Sequence, residues 1–245
     1  MAACTGCFDI ARWHAWAPGI QSTGDWPAWL QGGLAAPPDA RPDVSFLPSL
    51  LRRRLDQPGR MALHTAWPCA EGLEAVQVVY ASRHGSLQRT LEMLVALSRD
   101  EPISPTLFSL AVHNSTVGLF SIARKDRSAT TAIGAGPDSL AMSLLEGAGM
   151  IAEGAGHVLV IYADDVAPPP YYGEQAGDSE SLPFAISLLL TRRAEQKGGY
   201  RLGLDAGSST EQPPEAALIE FLVENRQHVV MEAGQAWRLE RVDAG

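Results

Sequence analysis

Cysteine is scarce in this chain, with three residues in 245, at Cys4, Cys7 and Cys69. That excludes the disulfide framework of small secreted domains. Charge is thin too: 19% of residues are charged, against about 25% in an ordinary soluble domain. Cations number 19 against 28 acids, for a net charge of −9. Duplex nucleic acid needs a basic face, so no nucleic-acid partner is expected. Long apolar runs are missing. The best, Val158–Tyr162 and Ile186–Leu190, are strand-sized, whereas a membrane span needs about 20 apolar residues. The opening Met1–Cys7 has neither the basic nor the apolar region of a signal peptide. A soluble, cytoplasmic protein with no membrane span is expected. What is present is apolar: 46% of residues are hydrophobic, enough for a sizeable core in one large domain or two small ones.

Metal-ligand spacing is also absent. His14, His64, His84, His157 and His228 are scattered, with no HxxxH or HExxH pattern. Cys4 and Cys7 form a CxxC, and Cys69 with His64 would complete four zinc ligands on paper. The CxxC lies at an extreme terminus, not at the strand–helix junction that a redox motif requires. No metal and no cofactor are predicted.

Along the chain, residues 1–44 are rich in Trp and Pro, with Trp13, Trp16, Trp26 and Trp29 among Pro18, Pro27, Pro37, Pro38 and Pro42. Helix breakers at that density predict an irregular segment whose tryptophans pack on the body of the domain or on a partner. A short helix is expected over 47–55, ending in Arg52-Arg53-Arg54. Alternation of Val76, Val78 and Tyr80 predicts a strand over 72–81. Ser86 is placed to cap a helix through Ser98, and one helix is expected over 109–123. A strand over 129–133, a turn at Gly134-Ala-Gly-Pro137, a helix over 138–152 and a buried strand over 158–162 follow. Strands over 184–191, 200–204 and 236–242 and a helix over 215–225 complete the reading. The alternation predicts an α/β fold with a mixed sheet flanked by helices. No repeat or boundary divides 1–245, which is read as a single domain.

Two motifs invite other readings. Gly134–Ser139, between a strand and a helix, is similar to a dinucleotide-binding GxGxxG with serine at its third glycine; Asp164-Asp165 end the next strand, as a ribose-binding acid would. A nucleotide- or CoA-binding module is therefore one alternative. Ser139, His113 and Asp138 can be drawn as a nucleophilic triad, but no GxSxG elbow supports it.

The segment Ile103-Ser-Pro-Thr-Leu-Phe-Ser-Leu-Ala-Val-His-Asn114, then Gly118, then Ala132–Leu140, resembles the N-terminal half of β-ketoacyl synthases of the thiolase fold. That family has an Ile-Ser-Pro run, an Asn with a Gly four residues on, and a strand leading into the nucleophilic cysteine. Gly154–Tyr162 fills the place of a later strand, and Ser82–Gly85 that of a Gly/Ser-rich loop. The likeness covers roughly residues 44–165. Counting from Asn114 and Gly118, the cysteine position falls on Pro137, and no cysteine follows Cys69. The family's two catalytic histidines have no counterpart, since His157 and His228 lack their surroundings. The resemblance implies a chain without the second half of the fold.

The resemblance is strongest to the short, chain-length-factor-like proteins of aryl polyene clusters, which share the Ser-Pro-Thr-x-Phe run at 104–114. It implies a thiolase-like half that is non-catalytic and pairs as a heterodimer with an active ketosynthase. Substrates would arrive on an acyl carrier protein. Ser104, Pro105, Leu107, Phe108, His113 and Asn114 would border the acyl tunnel at the subunit interface. A ketosynthase-like acyltransferase active on its own is the other alternative. A lone half also leaves an apolar face for a partner, a second copy or the chain's own ends to cover.

Overall fold

Apolar residues alternate along the predicted strands, and the two sets of side chains go to opposite faces of one sheet. Val78 and Tyr80 join Leu159 and Ile161 on one side; Val79 and Ala81 join Val158, Val160 and Tyr162 on the other. The computed structural model describes residues 7–20, 22–34, 37, 40–168, 171, 182–193, 198–205 and 212–243. Cys4 of the CxxC and most of the Pro-rich loop over 166–181 lie outside them.

The sheet has eight strands: β1 (Cys7–Trp16), β2 (Gln77–Ala81), β3 (Thr130–Ile133), β4 (His157–Asp164), β5 (Phe184–Arg192), β6 (Gly199–Leu204), β7 (His228–Glu232) and β8 (Ala236–Val242). Their order is β3-β2-β4-β5-β1-β6-β8-β7. β3, β2 and β4 are parallel, and every later pairing is antiparallel. The mixed α/β architecture expected from the sequence is therefore present.

The helices are α1 (Trp26–Leu30), α2 (Ser49–Arg52), α3 (Gln57–Cys69), α4 (Leu87–Ser98), α5 (Pro105–Leu110), α6 (Asn114–Arg124), α7 (Ser139–Ala152) and α8 (Pro214–Val223). α3 and α6 cover one face of the sheet; α7, α8 and Trp26 of α1 cover the other. Trp26 near one end of the chain and α8 near the other thus pack on the same face of the sheet.

Several local expectations are corrected. The supposedly irregular 1–44 contains β1, a ten-residue strand between β5 and β6. A register shift between Ile10 and Arg12 breaks the period-two pattern that would have shown it. Trp26 is fully buried, as a core anchor. The helix expected over 109–123 is two helices. The Leu110 carbonyl, which would continue the first, instead accepts Arg89 Nη1 at 2.6 Å and Ser115 Oγ at 3.0 Å. Ser86 precedes α4 but its side chain makes no capping bond. The helix over 47–55 shrinks to α2.

α7 packs closely on β4 because of Gly147. A Cβ there would stand 2.7 Å from Val160 Cγ2 and 2.9 Å from Leu190 Cδ1, whereas one at Gly149 would meet nothing within 4 Å. Gly147→Val is expected to destabilise by ~1–3 kcal/mol through overpacking. Gly149→Ala should stabilise by up to about 1 kcal/mol through helix propensity. Urea denaturation of the two variants checks the contrast; equal effects would refute the close packing.

Candidate functional site

The parallel strands β3, β2 and β4 end at one edge, where the loop at 82–86 and the turn at 134–138 meet. This is where open α/β sheets place their chemistry. Gly136–Asp138 form a 3-10 turn that runs straight into α7. Pro137 therefore stands in a strand–turn–helix, where the resemblance places the nucleophile. The left-handed residue of the turn is its neighbour Gly136, at φ 58°.

No side chain of this turn is available to attack an acyl group. Ser139 Oγ, fully buried, accepts from Ala135 N at 3.0 Å and donates towards Gly136 O at 2.8 Å, with Ser82 O at 3.3 Å. Asp138 Oδ1 accepts the amides of Gly234 and Gln235 at 3.0 and 2.9 Å, tying the β7–β8 hairpin to the turn. The Ser139–His113–Asp138 triad is thus not assembled. The Asp138 carboxylate also puts negative charge beside the helix start that a nucleotide phosphate would use.

His113 connects the loops. Its Nε2 lies 3.3 Å from Ser82 O. A Cβ on Gly85 would come within 2.7 Å of its ring, and one on Gly134 within 3.4 Å. The imidazole is thus packed between two glycines, one from each loop. His157 is exposed at the opposite end of β4, and His228 at the far end of β7 from the hairpin turn.

Asp164 holds the other loop. Its carboxylate accepts Ser82 Oγ at 2.7 Å, Arg83 N at 2.8 Å and His84 N at 3.0 Å. It is therefore engaged by this chain rather than presented to a ribose, as the sequence alone had suggested. Asp165 accepts from Val166 N, and burial pushes its pKa up. Tyr162 donates to Glu215 of α8 at 2.7 Å. Burial is the main cause raising the pKa of Glu215 and keeping the Tyr162 phenol protonated. The Asp164 and Glu215 contacts join residues 80 and 53 positions apart, and no sequence pattern pointed to them.

A glutamate with a raised folded pKa adds stability below its unfolded value, and that contribution disappears as pH rises through the folded value. Glu215→Gln keeps an acceptor for Tyr162 without the charge. The variant is expected to melt higher than the parent at pH 7–8, the difference closing as pH falls towards 4.5, the ordinary glutamate value. A variant that melts lower at pH 8 would show that the ionised form is the stabilising one.

The tunnel-segment residues fall into two groups. Ser104 caps α5, accepting Leu107 N at 3.3 Å, and Pro105 occupies its first turn. Leu107 is half-buried, Phe108 is 63% exposed and Asn114 is exposed at the start of α6. Only His113 reaches the turn. α4 and α5 bury no residue fully, and Leu94, Val95, Leu97 and Phe108 are exposed on them, with Val112 between α5 and α6 and Ile122 on α6. β3, which α6 packs against, is an edge strand with one side unpaired among the described residues.

Cys69 bonds Ser187 O at 3.4 Å, and burial pushes its thiol up to about 12. It is a packing residue, not a reactive thiol. Cys7 opens β1. Among the described residues no group of three or more His, Cys, Asp or Glu is placed to hold a metal, and no helix is long and apolar enough to cross a membrane.

The sheet, the turn and the order of the motifs define a ketosynthase-like fold of the thiolase-like class. The chain belongs to the beta-ketoacyl synthase family, whose N-terminal domain it matches over residues 26–238; it is a ketosynthase-like subunit. It is similar to a chain in the structure of the ketosynthase ApeO in complex with its chain length factor ApeC from Xenorhabdus doucetiae. The TM-score is 0.80 and the identity 29%, over 96% of this chain and 99% of that one. The ishigamide ketosynthase/chain length factor matches with TM-score 0.62 and 17% identity, over 82% and 68%. A beta-ketoacyl synthase from Burkholderia phymatum STM815 matches with TM-score 0.62 and 13% identity, over 91% and 71%. The last two likenesses are of fold alone. No curated protein matches the chain in sequence.

Proposed function

We propose that this chain is a non-catalytic chain length factor. It pairs with an active β-ketoacyl-carrier-protein synthase and shapes the acyl tunnel in elongation of the aryl polyene or fatty-acid type. The observation that carries the reading is the turn after β3. Gly136 and Pro137 bear no nucleophile, and Asp138 Oδ1 and Ser139 Oγ are held in hydrogen bonds. Exposed apolar side chains on α4 and α5, and an open sheet edge at β3, support the heterodimer. So does the nearly coextensive likeness to a chain of a ketosynthase–chain length factor complex. All described strands join one sheet, which supports reading 1–245 as one domain.

On this reading Leu107, half-buried at the edge of the exposed face, borders the tunnel, with Ser104, Pro105 and Phe108 beside it and His113 and Asn114 at its end. Co-expression with the ketosynthase should give a stable complex, and Leu107→Trp in that complex should shorten the acyl products. Mass spectrometry of the products and size exclusion of the same sample check both. Unchanged products from an intact complex would remove Leu107 from the tunnel; no complex at all would remove the partner role.

A further inference from the structure

α5 is held from one end. Pro105, Thr106, Phe108 and Ser109 are exposed and Leu107 is half-buried, while Leu110 packs against the core. The Ser104 cap bonds the helix's own Leu107 amide, so it starts the helix without tying it to the sheet. The tie is at the other end, where the Leu110 carbonyl accepts Arg89 Nη1 at 2.6 Å and Ser115 Oγ at 3.0 Å.

Arg89, on α4, does more than close a helix end. Its Nη2 donates to Arg54 O at 2.6 Å, and its Nη1 stands 3.5 Å from Asp56 Oδ2. Asp56 caps α3 with its other oxygen, accepting Gly59 N at 3.0 Å, and Oδ2 is buried without a hydrogen bond of its own. One planar guanidinium thus joins α4, the chain between α2 and α3, and the end of α5. The two side chains of the ion pair are 13% and 16% exposed, so salt screens it little. A fork that holds two carbonyls sets an orientation, which a point charge cannot do. Leu107 lies three residues before Leu110, about 4.5 Å along the helix axis. A tilt at the anchored carbonyl is therefore carried to Leu107 and Phe108.

We propose that Arg89 is the positioning residue of the tunnel wall: by pinning the Leu110 carbonyl it fixes where Leu107 stands, and so keeps the acyl products to one length. The proposal rests on the reading of Leu107 as a tunnel residue. Arg89 acts through α5 and not on the acyl chain itself.

The test uses the purified complex of this chain with its ketosynthase and reads acyl product lengths by mass spectrometry, with a thermal melt of the same preparation. Arg89→Lys keeps a cation for Asp56 but loses the fork. A bond from a charged donor favours the fixed position by about tenfold or more, so the share of the dominant product should fall about twofold or more, with shorter and longer chains appearing. The melt of this variant should stay close to the parent's. Arg89→Met should spread the products as far and also melt lower, because Asp56 is left unpaired. The control is Arg124→Lys. Arg124 also donates to two carbonyls, Ala70 O at 3.2 Å and Leu73 O at 2.5 Å, but at the far end of α6 from α5. It should lower the melt and leave the products alone. The same spread of products in Arg124→Lys would make the effect one of general stability and overturn the proposal. Products that answer to Leu107→Trp but to neither Arg89 variant overturn the proposal alone. Products that ignore Leu107→Trp as well, or a parent chain that does not join the ketosynthase, overturn the tunnel reading and this proposal with it.

Discussion

Changing Phe108 and Val112 together to aspartate is expected to abolish copurification with the ketosynthase while leaving the chain folded. The two side chains are 63% and 48% exposed, so the isolated subunit gains little from them. Their loss should change its own stability by no more than about 0.5 kcal/mol. In a complex they would be buried. Burying a Val or Phe side chain contributes about 1.5–3 kcal/mol, and a carboxylate in its place must also be desolvated. A combined loss of about 4 kcal/mol is roughly a thousandfold in Kd. The measurement is a tagged pull-down with a thermal melt on the same preparation. Retention of the partner at parental affinity would move the interface away from α5; a collapsed melt would mean that both residues hold the subunit itself together.

The isolated chain should release no condensation product from malonyl-carrier protein, and installing a thiol at Gly136 or Pro137 should not change that. Three structural facts stand against a rescued nucleophile. The Asp138 carboxylate stands at the start of α7, where its charge disfavours a neighbouring thiolate. The imidazole of His113 points Nε2 at a backbone carbonyl, 3.3 Å away. His157 is at the amino end of β4, seven residues from Asp164 at the site end, which is roughly 20 Å at strand rise. General acid–base help alone is worth about a hundredfold to ten-thousandfold, and the nucleophile itself more. Decarboxylation and product release, followed by mass spectrometry against a cysteine ketosynthase, give the comparison. Turnover of the same order by the lone chain would overturn the non-catalytic reading.

What the sequence disclosed follows from the range of the forces involved. β2, β4 and β5 were legible because alternating or continuous apolar residues decide a strand locally, and α7 because its apolar positions, from Leu140 to Ile151, follow a helical period. β1 was not, since its bulge at Ile10–Arg12 and exposed Arg12 disguise a central strand. α3 was not among the expected elements, and it contains Pro58, Gly59 and Pro68. Pro58 lies in the first turn, where its missing N–H costs nothing, and Asp56 supplies the cap. At the site, the order of Asn114, Gly118 and the Gly134–Ser139 turn located the edge of the sheet. The Asp164 latch and the Tyr162–Glu215 bond join distant positions, and neither residue's type predicts its mate.

The place of β1 in the sheet also orders assembly. When β1 is made, neither of its neighbours yet exists: Phe8 must pair with Arg192 on one side and Tyr200 on the other. Until β5 and β6 have been made, that strand lacks both partners, and the parallel trio β3-β2-β4 has its β4 edge bare. Such long loops close slowly and leave strand edges open to mispairing. Completion of β5 and β6 is therefore the step that turns a nascent, adhesive half-sheet into a closed subunit. Shortening the chain from its amino end past Phe8 would take a strand from the middle of the sheet rather than trim its margin.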